Sequence, residues 1–396
     1  MRILISGAGI AGPTLAYWLL RYSMTPTLVE RAATLRTGGY VIDFWGAGYD
    51  VSGRMGLLPD IRRHAYIVQE VRVVNRDGRR IGGFPAQMFA RASGGFASLP
   101  RGDLAALVYG AIADKVETIF GDSIARLDQR GDSVAVSFDH HPEQAFDLVI
   151  GADGLHSRTR ELAFGPEERF ERYLGLKVAA FETSGYRFRD ELTYVMYPQV
   201  GQEVSRFSMS GDRTMFLFTF ADADPALPHD LAGQKAELRR RFADAGWECP
   251  RILDALDGAE DLYFDRVSQI VMGGSDTSWT NGRVALVGDA AFCVSLLGGQ
   301  GSALAMTAAY VLAGELATAR GRYDEAFARY QQIFGPFVRA KQRVARGFTG
   351  WFAPRSRAGL FIGSRLLRLL SIGWIAEFAA GRGFRDRITL ADYHAE

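Results

Sequence analysis

Two glycine-rich segments, far apart in the chain, carry the residue types best suited to chemistry. The first, Gly7-Ala8-Gly9-Ile10-Ala11-Gly12, follows the apolar run Ile3-Leu4-Ile5. The second is Arg283-Val284-Ala285-Leu286-Val287-Gly288-Asp289-Ala290-Ala291, with Gly298-Gly299-Gln300-Gly301 close behind. The first has the spacing of a phosphate-binding turn. Gly7 permits a tight turn out of a strand, Gly9 lets the backbone approach a pyrophosphate, and Gly12 lets the following helix pack close. That helix start offers free N–H groups and a partial positive charge to phosphates. Glu30 lies 21 residues beyond Gly9 (30 − 9) at the end of the next apolar run. A carboxylate there suits ribose hydroxyls and disfavours a 2′-phosphate, so FAD or NAD is expected rather than NADP.

Further candidates surround these turns. Arg31 and Arg36 follow the ribose-binding strand, and Arg36 is either a surface residue or one that approaches cofactor phosphates. Leu99-Pro100-Arg101-Gly102-Asp103 puts Arg101 at a helix start, where a cation needs an anionic partner such as a pyrophosphate. Asp147-Leu148-Val149-Ile150-Gly151-Ala152-Asp153-Gly154 ends a strand in a turn, followed by Ser157, Arg158 and Arg160. That turn either binds phosphate or ribose, or is a strand-to-helix connection capped by Asp153 or Ser157. Asp289 either caps its own turn or holds ribityl hydroxyls. Gly299 and Gly301 open a helix whose N-terminus suits the negative edge of a reduced flavin. Signatures of a P-loop, a nucleophile elbow and the CxxC and HExxH motifs are absent, and the six histidines show no ligand spacing, so no metal is expected. Cys293 reads as a small packing residue.

The elements that must position these groups follow from periodicity. Residues 1–31 read as strand, turn, helix and strand, a βαβ unit. Residues 71–81 read as a hairpin turning at Asp77-Gly78. Helices are expected over 103–113, 231–245 and 302–318. Strands are expected over 134–138, 146–150, 194–200, 204–209 and 214–220. An antiparallel set interrupting a βαβ pattern suits a second domain, giving an α/β fold. The expected division is 1–70, 101–173 and 272–345 for the nucleotide, 71–100 and 174–271 for substrate, and 346–396 as a helical layer.

Bulk properties narrow the classes. The 396 residues are 48% hydrophobic and 23% charged, with a net charge of +1, so no nucleic-acid partner is expected. Two cysteines fit a reducing, cytoplasmic setting. No signal peptide is read at the N-terminus, and no apolar stretch reaches the roughly 18 residues that span a bilayer.

Together these motifs resemble the class A flavoprotein monooxygenases, the group typified by p-hydroxybenzoate hydroxylase, over about residues 1–345. The segment Gly38-Gly39-Tyr40-Val41-Ile42-Asp43-Phe44-Trp45-Gly46 is similar to the branch containing tetracycline-inactivating and antibiotic-tailoring hydroxylases. The resemblance implies FAD in a Rossmann-like domain interleaved with a sheet-based substrate domain, and a transient NADPH or NADH donor. It implies oxygen insertion from O2 through a flavin C4a-hydroperoxide into a small aromatic or polyketide-like substrate, by a monomer or homodimer. It assigns cofactor contacts to Gly7, Gly9, Ala11, Gly12, Glu30, Arg31, Asp43, Arg101, Asp153, Gly288, Asp289, Gly299 and Gly301, and donor docking to Arg36 and Arg158. No side-chain nucleophile is implied. Substrate contacts are expected from Met196, Arg206, Phe207, Phe216 and Phe218, with Phe84, Met88 and Tyr194 as further candidates; alternate strand positions must face away. Arg206, if turned inward, would pair a substrate anion. The chain departs from the family at Phe292, where His is usual, and at Val294 to Leu297, where a proline is usual. The missing proline motivates one alternative, an oxidase or reductase without oxygen insertion; a silent FAD-binding partner protein is a second, against which the intact Glu30, Arg101, Asp153 and Asp289 argue.

Overall fold

The computed structural model describes residues 1–35, 40–86, 95–188, 190–273, 278–347, 349–354, 356, 358–363 and 388–393. Its first sheet runs, edge to edge, Thr280–Asn281, Val284–Leu286, Leu148–Gly151, Arg2–Ser6, Thr25–Glu30 and Glu117–Phe120. All pairs are parallel except the outer Thr280–Asn281. Continuous apolar runs build it because both faces are covered: Ile3, Leu4, Ile5, Val149 and Ile150 are fully buried. Parallel register then aligns the strand ends. Ser6 sits beside Val29 and Gly151, and Gly151 beside Leu286. Three turns far apart in sequence thereby leave one edge of one sheet.

Helix Gly301–Thr318 is buried almost all round and packs against helix Ala11–Arg21. Helix Tyr323–Gly347 covers it with Phe327, Tyr330, Phe334 and Val338, despite Pro336 within its span. The sequence reading assigns no element there; the amphipathic stripe continues through Pro336.

The second large sheet runs Tyr263–Ile270, Glu171–Ser184, Arg213–Ala221, Gln202–Ser208, Thr193–Gln199, Glu70–Val74 and Arg80–Pro85. The Asp77-Gly78 hairpin turn forms as expected, with the Asn75 side chain accepting from Asp77 N and Arg79 N. Helices Leu231–Phe242 and Cys249–Asp257 cover one face, sealing Phe181, Phe216, Phe218, Phe220 and Phe242 against Leu238, Ile252 and Leu256. The opposite face turns toward the first sheet. A two-stranded ribbon, Val41–Trp45 with Phe96–Pro100, lies between, and Val41 packs with Phe207 and Met215 of the large sheet. The strands Glu171–Ser184 and Tyr263–Ile270 complete the sheet, and the sequence reading assigns no element to either. Among the described residues no helix is long and apolar enough to cross a membrane.

Candidate functional site

The first turn is held by backbone geometry. Gly7 has φ +107°, and a Cβ there would lie 2.6 Å from Ala152 O. A Cβ on Gly12 would lie 2.0 Å from Gly7 O, so helix and strand approach only because neither carries a side chain. At Gly9 nothing lies within 4 Å, which leaves the open backbone a phosphate needs. Helix Ala11–Arg21 has no side-chain cap and no acid in its first turn, so its leading N–H groups are available to an anion. The Glu30 carboxylate accepts from Ala8 N at 2.8 Å and Ala32 N at 3.0 Å, which ties the turn to the strand end where a ribose would sit. Arg31 is exposed beside it. Arg36 lies outside the described residues, as does Met88.

Arg101 opens helix Arg101–Gly110, and its N–H donates to Tyr40 O at 3.1 Å. Among the described residues its guanidinium has no hydrogen bond or ion pair, yet it acts electrostatically on Asp289, Tyr40 and Tyr263. A cation without a matched anion at a helix start fits a pyrophosphate. Tyr40 and Tyr263 pair with centroids 5.8 Å apart, and burial pushes the Tyr40 hydroxyl up to about 12. Asp43 accepts from Ser98 Oγ at 2.6 Å. Its surface is open, but protein surrounds it, so it faces an internal cleft; that desolvation pushes its carboxyl upward against the Ser98 bond.

The third turn joins these. Gly288 has φ +68° and packs on Ala11 and Ala305. Asp289 follows, its carboxyl raised by burial and lowered in part by Arg101. A Cβ on Gly301 would sit 3.7 Å from Asp289 Oδ1, which places Asp289 at the start of helix Gly301–Thr318. That helix also lacks a side-chain cap and a first-turn acid. Gly299 is left-handed at φ +61° with open space beside it. Ser295 holds φ +93°, its hydroxyl accepting from Leu297 N, where the family has a proline nearby. Cys293 is buried, with its thiol toward Ser268 O at 3.6 Å.

Asp153 shapes its own turn. Its carboxylate accepts from Ser157 Oγ, from Thr159 N and Oγ1 at 2.9 Å each, and from Ser6 Oγ at 3.4 Å. Ser157 caps helix Arg158–Phe164 by accepting from Arg160 N. Of the two readings of this segment, the capped strand-to-helix connection is the geometry present. Arg158 is exposed and paired with Glu161 at 2.7 Å. The sequence reading gave Arg160 no role of its own. It is fully buried and donates to Ala290 O at 3.0 Å, Leu155 O at 2.7 Å and Glu167 Oε2 at 2.6 Å, clamping the second turn to the third. Nearby, His156 bridges Glu167 at 2.9 Å and Asp265 at 3.2 Å, and those carboxylates hold its imidazolium up to about 9.

Three substrate-contact expectations are corrected. Arg206, Phe216 and Phe218 lie on the sheet face covered by helices. Arg206 pairs with Asp190 at 2.6 Å and Glu248 at 3.2 Å, and its guanidinium stands 5.9 Å from the Trp247 ring. Phe216 and Phe218 are sealed in the aromatic core below. Phe207 is on the opposite face, stacked under Tyr194 at 4.3 Å and flanked by Tyr66. Met196 lines a cavity of about 440 Å³ on that same face.

A family model for the FAD binding domain matches residues 104–342. A flavin-dependent monooxygenase of Legionella longbeachae is 34% identical over 346 residues, covering 87% of each chain. The chain belongs to the class A flavin-dependent monooxygenases. An uncharacterized protein of Mycobacterium tuberculosis is 40% identical over 346 residues, covering 86% of this chain and 91% of its own. The crystal structure of tetracycline destructase Tet(51) superposes with a TM-score of 0.82 at 33% identity, covering 99% of both chains. The cofactor of this monooxygenase family is FAD; the uncapped start of helix Ala11–Arg21, Gly9 and Arg101, which has no ion pair among the described residues, fit its phosphates, and the uncapped start of helix Gly301–Thr318 fits its ring edge.

Proposed function

We propose that the chain is an NAD(P)H-consuming monooxygenase that inserts one oxygen atom from O2 into a small aromatic or polyketide-like molecule. The observation that carries this reading is the convergence of the Gly7, Asp153 and Gly288 turns at one sheet edge, facing the open side of the antiparallel sheet. The likeness to a tetracycline destructase supports the polyketide class. When bound, FAD supplies hydride acceptance and oxygen activation.

The chain's own groups bind and orient. Glu30 would hold the ribose, and the start of helix Ala11–Arg21 together with Arg101 would hold the pyrophosphate. Asp289 would hold ribityl hydroxyls, and Asp43 would face the ring from the ribbon. The start of helix Gly301–Thr318 would favour negative charge at the ring's edge, with Gly299 leaving the backbone room to approach. Met196 and the apolar wall around Phe207 would exclude water from the reacting pair. Arg31 would join Glu30 in holding the cofactor, and Arg158 would dock the transient donor. In this reading residues 1–70, 101–173 and 272–345 serve the cofactor, 71–100 and 174–271 serve the substrate, and 346–396 are a separate C-terminal region.

The test is NADH or NADPH oxidation by the FAD-loaded protein under ¹⁸O2 with a panel of phenols and polycyclic polyketides. The expected result is one labelled atom in product for each donor oxidised. Stoichiometric peroxide and no label with any compound would replace this reading with an oxidase, the outcome favoured by the missing proline at Val294 to Leu297.

A further inference from the structure

Glu203 is a buried carboxyl that the reading above does not use. It stands in strand Gln202–Ser208 with 3% of its surface exposed. Its register partners are Pro198 and Thr219, on the face that carries Met196, Ser205 and Phe207. Its hydrogen bond among the described residues comes from Ser205 Oγ, at 3.0 Å to Oε1. Among the described residues no charged group pulls on it: burial raises its carboxyl to about 7, and the Ser205 hydrogen bond opposes. Arg206 is on the other face with Asp190 and Glu248. Glu203 lines the 440 Å³ cavity with Val73, Met196, Pro198, Leu360 and Phe361. Arg76 is the one cation lining that cavity among the described residues, and it exerts no resolved pull on Glu203.

An acid in such a place is either protonated or matched by a donor from elsewhere. A buried carboxylate without a paired cation is strongly disfavoured, and Arg76 makes no ion pair with Glu203 among the described residues. A ligand that brings an ammonium group completes the pair, and a ligand without a donor leaves a buried polar group unmatched. Strand alternation connects this position to the cofactor side. Leu217 pairs with Ser205 and packs with Leu296 and Leu297, next to Gly299.

We propose that Glu203 determines substrate specificity: the chamber takes an apolar molecule bearing a basic amine, held as an ammonium against the Glu203 carboxylate. This rests on the reading that the open sheet face is the substrate wall. Binding then draws the proton off Glu203, so amine affinity rises as pH increases through about 7 and stays level until the amine itself loses its proton.

The test is equilibrium binding to the FAD-loaded protein of three matched probes: 2-naphthylmethylamine, 2-naphthylmethanol and 2-naphthoic acid. At pH 8 the amine should bind about tenfold more tightly than the alcohol, with the acid weakest. In Glu203→Gln that preference should fall to about twofold or less with alcohol affinity retained, and Glu203→Met should behave alike. The flavin-to-protein ratio checks that each variant is folded. Equal binding of amine and alcohol by the native protein, or an unchanged preference in both variants, overturns the proposal. Binding is read without turnover, so the two readings fail separately. Missing ¹⁸O label overturns the monooxygenase reading alone, and a missing amine preference in a protein that inserts oxygen overturns only the Glu203 assignment.

Discussion

The two faces of the antiparallel sheet treat buried charge in opposite ways. On the face under helices Leu231–Phe242 and Cys249–Asp257, Arg206 is buried and compensated, with Asp190 and Glu248 as its anions and Trp247 beside it. Three positions earlier on the same strand, Glu203 points the other way and, among the described residues, is met by a hydroxyl alone. The first face is a closed aromatic core; the second borders a cavity. A protein interior that is finished supplies both members of an ion pair, whereas a wall that awaits a ligand leaves one member to be brought. Two residues three positions apart on one strand therefore serve folding and, in the assignment proposed above, recognition.

The largest effect should follow from opening the closed face. Phe216→Ala should cost about 4 kcal/mol in urea unfolding, whereas Met196→Ala on the cavity wall should cost about 1 kcal/mol or less. Similar losses at both positions would erase the distinction. Next, Arg206→Met strands Glu248 and should cost about 3 kcal/mol by the same assay. A near-neutral result would mean that the pair contributes nothing over apolar packing.

Glu203 sharpens the comparison through pH. Its folded carboxyl is raised to about 7 from 4.5, so the folded state keeps a proton that the unfolded chain has released. Stability contributed at this site therefore falls as pH rises from about 4.5 to about 7 and is level above. Denaturation of Glu203→Gln across that window should lack this fall, and parallel curves for variant and native protein would contradict the assignment. The smallest effect is expected at His156, which lies partly in solvent beside the edge strand. Its folded pKa is raised from 6.5 to about 9, so its contribution is complete below 6.5 and is lost as pH rises through about 9. His156→Gln should lower the thermal midpoint modestly at pH 6 and not at all above pH 10, a screened effect because the ring is exposed. A shift independent of pH would point to packing instead.

The glycine turns were legible because their requirement is local. Gly7 and Gly12 stand where any Cβ meets backbone, so residue type alone announces the geometry. The hairpin at Asp77-Gly78 was legible for the same reason. Asp153 was read toward a ligand as well as toward a cap. The deciding fact, that Ser6, Ser157 and Thr159 occupy its oxygens, joins Ser6 to residues remote in sequence. Arg160 was read only as part of the turn after Asp153, because its acceptors Ala290 O and Glu167 Oε2 are brought to it by folding. Helix Tyr323–Gly347 was not read from the sequence; in the structure the penalty of Pro336 is outweighed by a buried stripe of Phe327, Tyr330, Phe334 and Val338.

By itself the sequence determined the βαβ unit, the spacing of turn glycines, the acid after the second strand and the alternation of the sheet strands. Only the tertiary structure decided which alternate set became core and which became cavity wall, and that the turns after Ser6, Gly151 and Leu286 share one edge. The physical reason is one of range. A steric demand on φ or a two-residue period acts between neighbours and can be read from them. The face a strand buries depends on which helices come to cover it; the alternation is local, but its phase is chosen by residues far along the chain.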